Sequence, residues 1–568
     1  MTTYTLRIKD RTYHNWEIFE TSTFQSVEMA INPTSSKMFS NDVFKLNDVN
    51  NNVDVIHSSV RQQGNIPGVL ILNDNKSYGR NKKGRTLYKC DPDDIRLPSF
   101  LIPYDKRIPF SKVFQNQYIT FSFSEWTEKH PIGTLMNVIG GVDTLTHFYE
   151  YQLYCKSLNA SIQQFHKQAT KEIKANTGET FMETIKCQYP LLHDRTNTYV
   201  FTIDPLNSLD LDDGFSISQV METTVISIYI ANVSIWMDLL QLWDTFSRRI
   251  STIYLPDKKR PMLPTILSDC LCSLQANNTR VALCMDIYIK DNMVVDIKYL
   301  NCFIKVSKNY HYEDTQLLNN PRYIQLLTIT QQLSKTYNFI NHIKTSHDVV
   351  TYLMMFMNVH CAKVLIDKRV GIFRTNVCKD SCHVPDNIDH NVAKFIKIWN
   401  SSAGQYVDGS TNTDVRHDLL NMDCYIHITS PIRRLVDLLN IIKFQQVTNI
   451  TTLSGNAFTF YNNWIQELDY INLTMRSIRK IQCDCTLLDL CSNNTSLTDK
   501  DHEGYVFDKI TRNDGLFQYM VFLPELKLTS RITTRANMEN FQVAKIKLYL
   551  FHNESRFKHK IRLQVIVD

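Results

Sequence analysis

The stretch Phe201–Ser218, FTIDPLNSLDLDDGFSIS, carries four closely spaced aspartates, Asp204, Asp210, Asp212 and Asp213. Clustered carboxylates raise one another's pKa and destabilise a folded chain unless cations neutralise them. The segments Val200–Ile203 and Phe215–Ile217 are typical of β-strand. If the stretch between them is extended, Asp210 and Asp212 lie on one face and Asp213 turns into a loop. The pattern therefore predicts a cation site between two strands.

A ligand set made only of oxygen atoms favours a hard divalent cation. Magnesium takes a few carboxylates and completes its shell with water and phosphate oxygens, whereas calcium prefers more protein ligands. We therefore predict Mg²⁺, with Mn²⁺ as the alternative cofactor, and phosphate chemistry as the reaction class. A solvated acidic loop is the competing interpretation of these residues taken alone. An EF-hand is excluded because the twelfth position of a D-x-D-x-D-G frame holds no Glu.

Further along the chain, YIHITSPIRRLVDLLN (Tyr425–Asn440) places Arg433 and Arg434 after a proline and at the start of an apolar helical pattern. An arginine presents a planar fork of donors that matches phosphate oxygens. A cation beside a phosphate also stabilises charge that develops in the transition state. Arginines on a solvated helix face are the alternative.

Together, the motifs T-I-D-P-x4-D-x-D-D and H-x-T-S-P-I-R-R resemble those of the ribonuclease II/ribonuclease R family of processive exoribonucleases. Four blocks follow the order of that family: TIYLPDKKRPMLPTILSDCLCSLQANNTRVAL (Thr252–Leu283), NYHYED (Asn309–Asp314), SHDVVTYLMMFMNVHCAKVL (Ser346–Leu365) and IFRTN (Ile372–Asn376). The resemblance covers about residues 189–492. The barrel sequences resemble a divergent eukaryotic or large-DNA-virus branch of the family.

The resemblance implies a multidomain α+β protein with an amino-terminal cold-shock-type OB β-barrel, a central α/β RNB catalytic domain and a carboxy-terminal OB-type β-barrel. We place these domains over residues 64–160, 189–495 and 500–568, after a partly irregular amino-terminal segment, 1–63. Residues 31–64 are rich in Asn and Ser and predict the irregular part. Because a chain of 568 residues is too long for one core, several domains are expected. Asn513-Asp514-Gly515 predicts a hairpin in the last domain.

Both predicted barrels carry basic residues that suit an RNA backbone. The first mixes them with tyrosines, as OB folds do for phosphate attraction and base stacking: Arg80, Lys82, Lys83, Arg85, Lys106 and Arg107 with Tyr78, Tyr88 and Tyr104. The candidates in the second barrel are Lys545, Lys547, Lys558, Lys560 and Arg562. A basic hairpin tip and solvent-facing lysines are the alternatives.

The resemblance further implies a processive 3′→5′ exoribonuclease that hydrolyses single-stranded RNA to nucleoside 5′-monophosphates by a two-metal mechanism. In that reading Asp204, Asp210, Asp212 and Asp213 hold or orient the metals, and Asp212, Asp213 and Arg433 are catalytic. The predicted substrate-binding residues are Tyr254, Tyr312, Arg433 and Arg434. The alternative is a catalytically inactive single-stranded RNA-binding protein on the same scaffold. The preference for RNA over DNA stays open.

The chain departs from the family's pattern at several positions. Thr351 and Tyr352 stand where relatives carry acidic residues, and Asn232 stands where an Asp is usual. With a formal net charge of +5, nucleic-acid contacts are expected in a groove rather than over the whole surface. The 14 cysteines show no zinc spacing. Because no signal peptide or membrane-spanning run is evident, we expect an intracellular, cytoplasmic monomer without an obligatory protein partner.

Overall fold

The computed structural model describes the chain except residues 1, 48–52, 106–113, 176–177, 341, 378–387, 401–403, 413, 495, 554–557 and 567–568. It contains two compact units. The first consists of Met1–Asn159, Leu255–Asp257 and Lys480–Asp568, and the second of Ala160–Tyr254 and Lys258–Arg479.

The first unit begins with a four-stranded antiparallel sheet in the order β2-β1-β3-β4. The elements are β1 (Tyr4–Ile8), β2 (Trp16–Glu20), β3 (Val43–Leu46), β4 (Val53–His57) and the short helix α1 (Ser59–Gln62). Leu6 and Ile8 of β1 are fully buried in a core that also contains Phe121 of the following barrel. Turns and irregular chain connect β2 to β3. Strands β3 and β4, however, lie where an irregular segment was expected.

A closed five-stranded barrel follows, in the order β5-β6-β7-β9-β8. Its strands are β5 (Ile66–Leu70), β6 (Leu87–Pro92), β7 (Phe100–Pro103), β8 (Gln117–Glu125) and β9 (Ile132–Gly141), and α2 (Leu145–Cys155) comes after it. Neighbouring strands are antiparallel except β7 and β9, which are parallel. This Greek-key closure is that of an OB fold and confirms the predicted amino-terminal barrel.

The basic residues of this barrel are only partly arranged as predicted. Arg80, Lys82, Lys83 and Arg85 are exposed between β5 and β6. Tyr78 is exposed beside them, whereas Tyr88 is buried and packs edge-on against Tyr104. Lys106 and Arg107 lie outside the described residues. Tyr78 is therefore the most exposed of the three tyrosines, at 38%.

The second unit contains a second closed barrel, in the order β10-β11-β12-β15-β16, with β10 and β16 parallel. The elements up to its last strand are α3 (Gln163–Lys174), α4 (Gly178–Gln188), β10 (His193–Asp204), β11 (Asp213–Val220), β12 (Thr223–Ala231), α5 (Val233–Leu239), β13 (Ile253–Tyr254), β14 (Lys259–Arg260), a π-helical turn (Ile266–Leu271), β15 (Thr279–Lys290) and β16 (Met293–His311). Strands β10 and β11 confirm the strand prediction on both sides of the acidic stretch.

Helices cover much of the rest of this unit. They and the remaining short strands are α6 (Thr315–Leu318), α7 (Pro321–Thr336), α8 (Ser346–Asp367), β17 (Ile372–Thr375), α9 (His390–Asn400), β18 (Gln405–Asp408), α10 (Leu435–Thr448) and α11 (Gly455–Ile465). Helix α12 (Leu468–Asn493) begins in this unit, and its residues from Lys480 onward belong to the first unit, as does α13 (Ser496–Asp499). Helix α8 starts with a capping box between Thr345 and Asp348. Among the described helices it alone has the length and mean hydropathy, 1.6, of a membrane span, but 61% of that window is buried. It is the core helix of this unit, and its buried Leu353 and Phe356 pack with Phe201 and Ile228 of the barrel in one cluster.

The carboxy-terminal residues form a five-stranded sheet in the order β21-β20-β19-β22-β23. The strands are β19 (Asp501–Thr511), β20 (Phe517–Leu523), β21 (Leu528–Thr534), β22 (Val543–Asn553) and β23 (Lys558–Val565). The outer strands β21 and β23 approach each other, so the sheet is a nearly closed OB-type barrel. The predicted hairpin joins β19 to β20, with Gly515 at φ +76°. The side chains of Lys558 and Lys560 lie outside the described set, whereas Lys545 and Arg562 are exposed.

Asn232, where the family usually carries Asp, lies in a buried amide network of the second unit. It caps α5 by accepting a hydrogen bond from the Ile235 N–H. Its Nδ2 donates to Asn301 Oδ1 at 2.9 Å and to Gln445 Oε1 at 2.8 Å. Asn232, Asn301 and Gln445 are all fully buried. An amide is therefore required here, because a carboxylate would face two acceptor oxygens.

Asn232→Asp should reduce the free energy of unfolding by about 3 kcal/mol, because it buries a charge without a counter-ion. The new carboxyl would have a raised pKa in the folded state, so the loss should grow as pH rises above its unfolded pKa of about 3.9. Urea unfolding at pH 5 and pH 8 measures both effects. The exposed Gln219→Glu, on β11 of the same barrel, is the matched control. Equal stability of Asn232→Asp and this control would contradict the prediction.

Candidate active site

The four aspartates lie at the end of β10, at the start of β11 and in the loop that joins these two strands. Asp204 is the last residue of β10, and Asp213 is the first residue of β11, where it pairs with Ile230 of β12. The expectation that Asp213 turns into a loop is therefore wrong, because the ladder with β12 begins at this residue. The loop between the strands is held by Ser273, whose Oγ donates to the Leu209 carbonyl and accepts from the Leu211 N–H.

Asp212 connects this loop to the S-P-I-R-R segment. Its carboxylate is buried, with 2% of the residue exposed. Oδ1 accepts from the Ile432 N–H at 2.9 Å, and Oδ2 accepts from Arg433 Nε at 3.1 Å. Arg433 Nη2 also donates to Ser430 Oγ at 3.1 Å. The guanidinium is thus fixed at one edge, while 45% of its side chain remains exposed.

Arg434 lies beside Arg433 but is bound differently. Its Nη2 donates to Asp437 Oδ1 at 2.9 Å, and Asp437 is completely buried at the start of α10. The same oxygen accepts from the Ser430 N–H. Arg434 lines the cleft with 24% of its side chain exposed. Its geometry supports a role in fixing the S-P-I-R-R turn, and its contact with substrate stays a prediction.

Asp210 is held by two donors from the β13–β14 hairpin. The Tyr254 hydroxyl donates to Oδ2 at 2.8 Å, and Lys259 Nζ donates to Oδ1 at 3.0 Å. Lys259 also donates to Asp269 Oδ1 at 3.0 Å. Sequence reasoning did not select Lys259. The signal that could have found it is the basic run Lys258-Lys259-Arg260 next to Tyr254, within the block that resembles the family.

Asp204 and Asp213 differ from the other two aspartates, because Oδ2 of each is buried and has no hydrogen-bond partner within the described residues. Burial raises the pKa of Asp204 to about 7. Burial and the nearby Asp204 charge raise the pKa of Asp213 well above its usual range. Two neighbouring carboxylates with unsatisfied oxygens are the donor set that a magnesium ion uses when phosphate and water complete its shell. These two residues therefore fit the predicted cation.

A preformed site with three ligands is not observed, since no three His, Cys, Asp or Glu side chains converge on a metal position in the described part of the chain. The four aspartates instead divide into two pairs. Asp210 and Asp212 have both oxygens bonded to protein donors, and Asp204 and Asp213 each keep one unbonded oxygen. The prediction that all four serve metals stays a prediction.

The four aspartates and both arginines line one cleft of about 670 Å³ within the second unit. The two predicted substrate tyrosines line it as well. Tyr254 is 39% exposed, and the ring of Tyr312 lies 5.2 Å from that of His347. Of the two departures on α8, Thr351 lines the cleft, whereas Tyr352 is fully buried in the core. The sequence-predicted site residues are thus brought together, and Thr351 faces the cleft where relatives carry an acidic residue.

His427 also lines the cleft but has a supporting position. The Tyr406 hydroxyl lies 2.8 Å from His427 Nδ1. Burial, together with the charges of Arg434 and Arg374, lowers the pKa of His427 well below its usual range. The neutral ring can accept the tyrosine proton, which gives His427 a structural role in the wall of the cleft.

Comparison with known proteins agrees with this fold. Residues 192–348 match the family model of the RNB domain. DIS3-like exonuclease 2 of Schizosaccharomyces pombe is 26% identical over 207 residues, which span 32% of this chain and 22% of that protein. Apo RNase R of Mycoplasma genitalium matches with a TM-score of 0.68 and 16% identity over 100% of this chain and 97% of its own. Yeast Ssd1, a pseudonuclease, matches with a TM-score of 0.59 and 13% identity; the match covers 93% of this chain and 78% of the Ssd1 chain.

The chain therefore contains a segment, residues 192–348, that matches the RNB domain, and it has the fold of RNase R. It spans only about a fifth of the length of the S. pombe relative, and the similarity to the two solved structures extends to the fold.

The raised carboxyl pKa values predict how stability depends on pH without divalent ions. Burial raises the pKa of Asp213 above its value in the unfolded chain, so the folded state binds this proton more tightly. The free energy of unfolding then falls as pH rises above about 3.9. Asp213→Asn removes the carboxyl that titrates, and with it this pH-dependent loss of stability. The melting temperature of Asp213→Asn minus that of the wild type, in EDTA, should increase from pH 5 to pH 8.

The control is Asp291→Asn, which makes the same change at an exposed turn residue with φ +52°, a conformation that Asn tolerates. The melting temperature of Asp291→Asn minus that of the wild type should not vary with pH. Parallel behaviour of the two variants would contradict the raised pKa of Asp213.

Proposed function

We propose that this protein is a divalent-cation-dependent 3′→5′ exoribonuclease that processively hydrolyses single-stranded RNA to nucleoside 5′-monophosphates. The observation that carries the proposal is the pairing, in one cleft, of two carboxylates that have unbonded oxygens with a fixed, half-exposed guanidinium. Phosphoryl transfer needs both elements, because the phosphate brings negative charge that must be neutralised and oriented.

In this proposal Asp204 and Asp213 hold the cation, Mg²⁺ or Mn²⁺. When bound, such a cation lowers the pKa of a water and neutralises phosphate charge. Asp212 orients Arg433 through the Nε hydrogen bond. Arg433 Nη1 donates no hydrogen bond within the described residues, so it is available to a phosphate oxygen. Arg433 would then stabilise the charge that develops on the transferred phosphate.

The exposed ring of Tyr254 offers a surface for the terminal base, since its hydroxyl is already bound to Asp210. Tyr312 would flank the substrate from the α8 side of the cleft. Stacking of bases on aromatic rings tolerates any sequence, which suits an exonuclease. RNase R of M. genitalium, which shares this fold, has a solved complex with ribose-methylated single-stranded RNA. We infer the same class of substrate here, bound by a monomeric, cytoplasmic enzyme.

A catalytically inactive RNA-binding protein is the second candidate function. Two observations favour it: the absence of a converged three-ligand group among the described residues, and the fold shared with the pseudonuclease Ssd1. Hydrolysis distinguishes the two candidates.

The test is a time course on 5′-labelled single-stranded RNA of about 30 nucleotides, longer than the 4–16 that one OB fold covers. With Mg²⁺, the wild type should convert the label directly to a very short product and release monophosphates. Asp213→Asn should lower the rate by at least about 100-fold. Asp291→Asn should retain wild-type activity. Tight RNA binding without cleavage, in Mg²⁺ and in Mn²⁺, would reject the enzyme and favour the binding protein.

A further inference from the structure

A lysine ammonium occupies a bridging position inside the proposed active site. In the β13–β14 hairpin, Tyr254 pairs directly with Lys259, so both side chains reach Asp210. Lys259 Nζ lies 3.0 Å from Asp210 Oδ1 and 3.0 Å from Asp269 Oδ1. Asp269 is fixed in the π-helical turn, where Ser268 Oγ also donates to it at 2.6 Å.

The bridge is shielded from water. The side chain of Lys259 is 24% exposed, that of Asp210 8% and that of Asp269 16%. Ion pairs on an open surface are weak because water and salt screen them, whereas removing one partner of a shielded pair leaves an uncompensated charge. Lys259 is therefore a permanent part of the charge balance of this cleft.

The bridge also opposes a divalent cation at Asp210. A carboxylate oxygen can accept a hydrogen bond and bind a metal at the same time, but a cation on Asp210 would lie beside the Lys259 ammonium, and the two positive charges would repel each other. Asp212 is likewise paired with a cation, Arg433. Of the four aspartates, Asp204 and Asp213 are the two that keep a buried oxygen without a hydrogen-bond donor in the described residues.

We propose that Lys259 takes the place of a second divalent cation: its ammonium neutralises Asp210 and Asp269, so that the cleft binds one divalent cation instead of two. The two-metal arrangement expected from the aspartate pattern is then replaced by one exchangeable cation and one fixed protein cation. Lys259 is a positioning residue, because it acts through Asp210. The inference rests on the proposed function for the location of the exchangeable cation.

The test counts bound Mn²⁺ by electron paramagnetic resonance of the free ion, on the full chain without RNA. The wild type should bind one Mn²⁺ per chain, and Asp213→Asn should lose it. Lys259→Met removes the ammonium and leaves the Asp210 and Asp269 carboxylates without a cation, so the count should rise to two. Lys259→Arg, which keeps the charge, should bind one. Lys258→Met changes the adjacent exposed lysine and should also bind one.

Two bound ions in the wild type, or one in a folded Lys259→Met protein, would overturn the inference and leave the proposed nuclease activity standing. If the melting temperature shows that Lys259→Met does not fold, Lys259→Gln replaces it, and the same count of two bound Mn²⁺ ions is expected. A wild type that binds no Mn²⁺ would overturn the inference together with the cation site. The RNA time course reports on hydrolysis separately, so failure of the inference and failure of the function are distinguishable.

Discussion

The hydrogen bonds of the Asp212 carboxylate hold the candidate active site together. One oxygen accepts from the Ile432 backbone and the other from Arg433, residues that follow Asp212 by 220 and 221 positions. A carboxylate buried to this degree is stable only if such donors replace its water. The loop that carries the acidic residues and the turn that carries the arginine are thus fixed to each other by one side chain. Without it, the arginine would have no defined position relative to Asp204 and Asp213.

Most of the charged side chains in and around the cleft are paired with a side chain of opposite charge. Arg433 compensates Asp212, Lys259 compensates Asp210 and Asp269, and Arg434 compensates Asp437. Asp204 and Asp213 each keep a buried oxygen without a hydrogen-bond donor in the described residues, and burial raises the pKa of both, as it also raises that of Asp212. Carboxyls with a perturbed pKa in a cleft are common at functional sites. The pair of unbonded oxygens is thus the feature that most clearly separates a cation site from a structural acidic cluster.

Much of this arrangement was predictable from the sequence, since it depends on local patterns. The strand-like segments Val200–Ile203 and Phe215–Ile217 predicted β10 and β11, and the apolar pattern after Arg434 predicted α10. Which aspartates keep an unbonded oxygen was not predictable, because this depends on which donors reach each oxygen in three dimensions. Lys259 reaches Asp210 only through the register of a two-residue hairpin, and Asp269 joins it from a π-helical turn.

The amino-terminal sheet is a second feature that sequence patterns alone did not predict. The composition of residues 31–64 predicts an irregular segment, but β3 and β4 form there because backbone pairing and a shared core override composition. Asn232 is a further case: it reads as a departure from a family pattern, and only its buried partners Asn301 and Gln445 explain why an amide is needed.

The most direct measurement is a double-mutant cycle on RNA hydrolysis with Asp212→Asn, Arg433→Gln and the two combined. If Asp212 acts by holding Arg433 in place, each single variant should lose nearly as much activity as the double variant, because the two residues work as a unit. Losses that add independently, so that the double variant shows the product of the two single effects, would contradict this central claim.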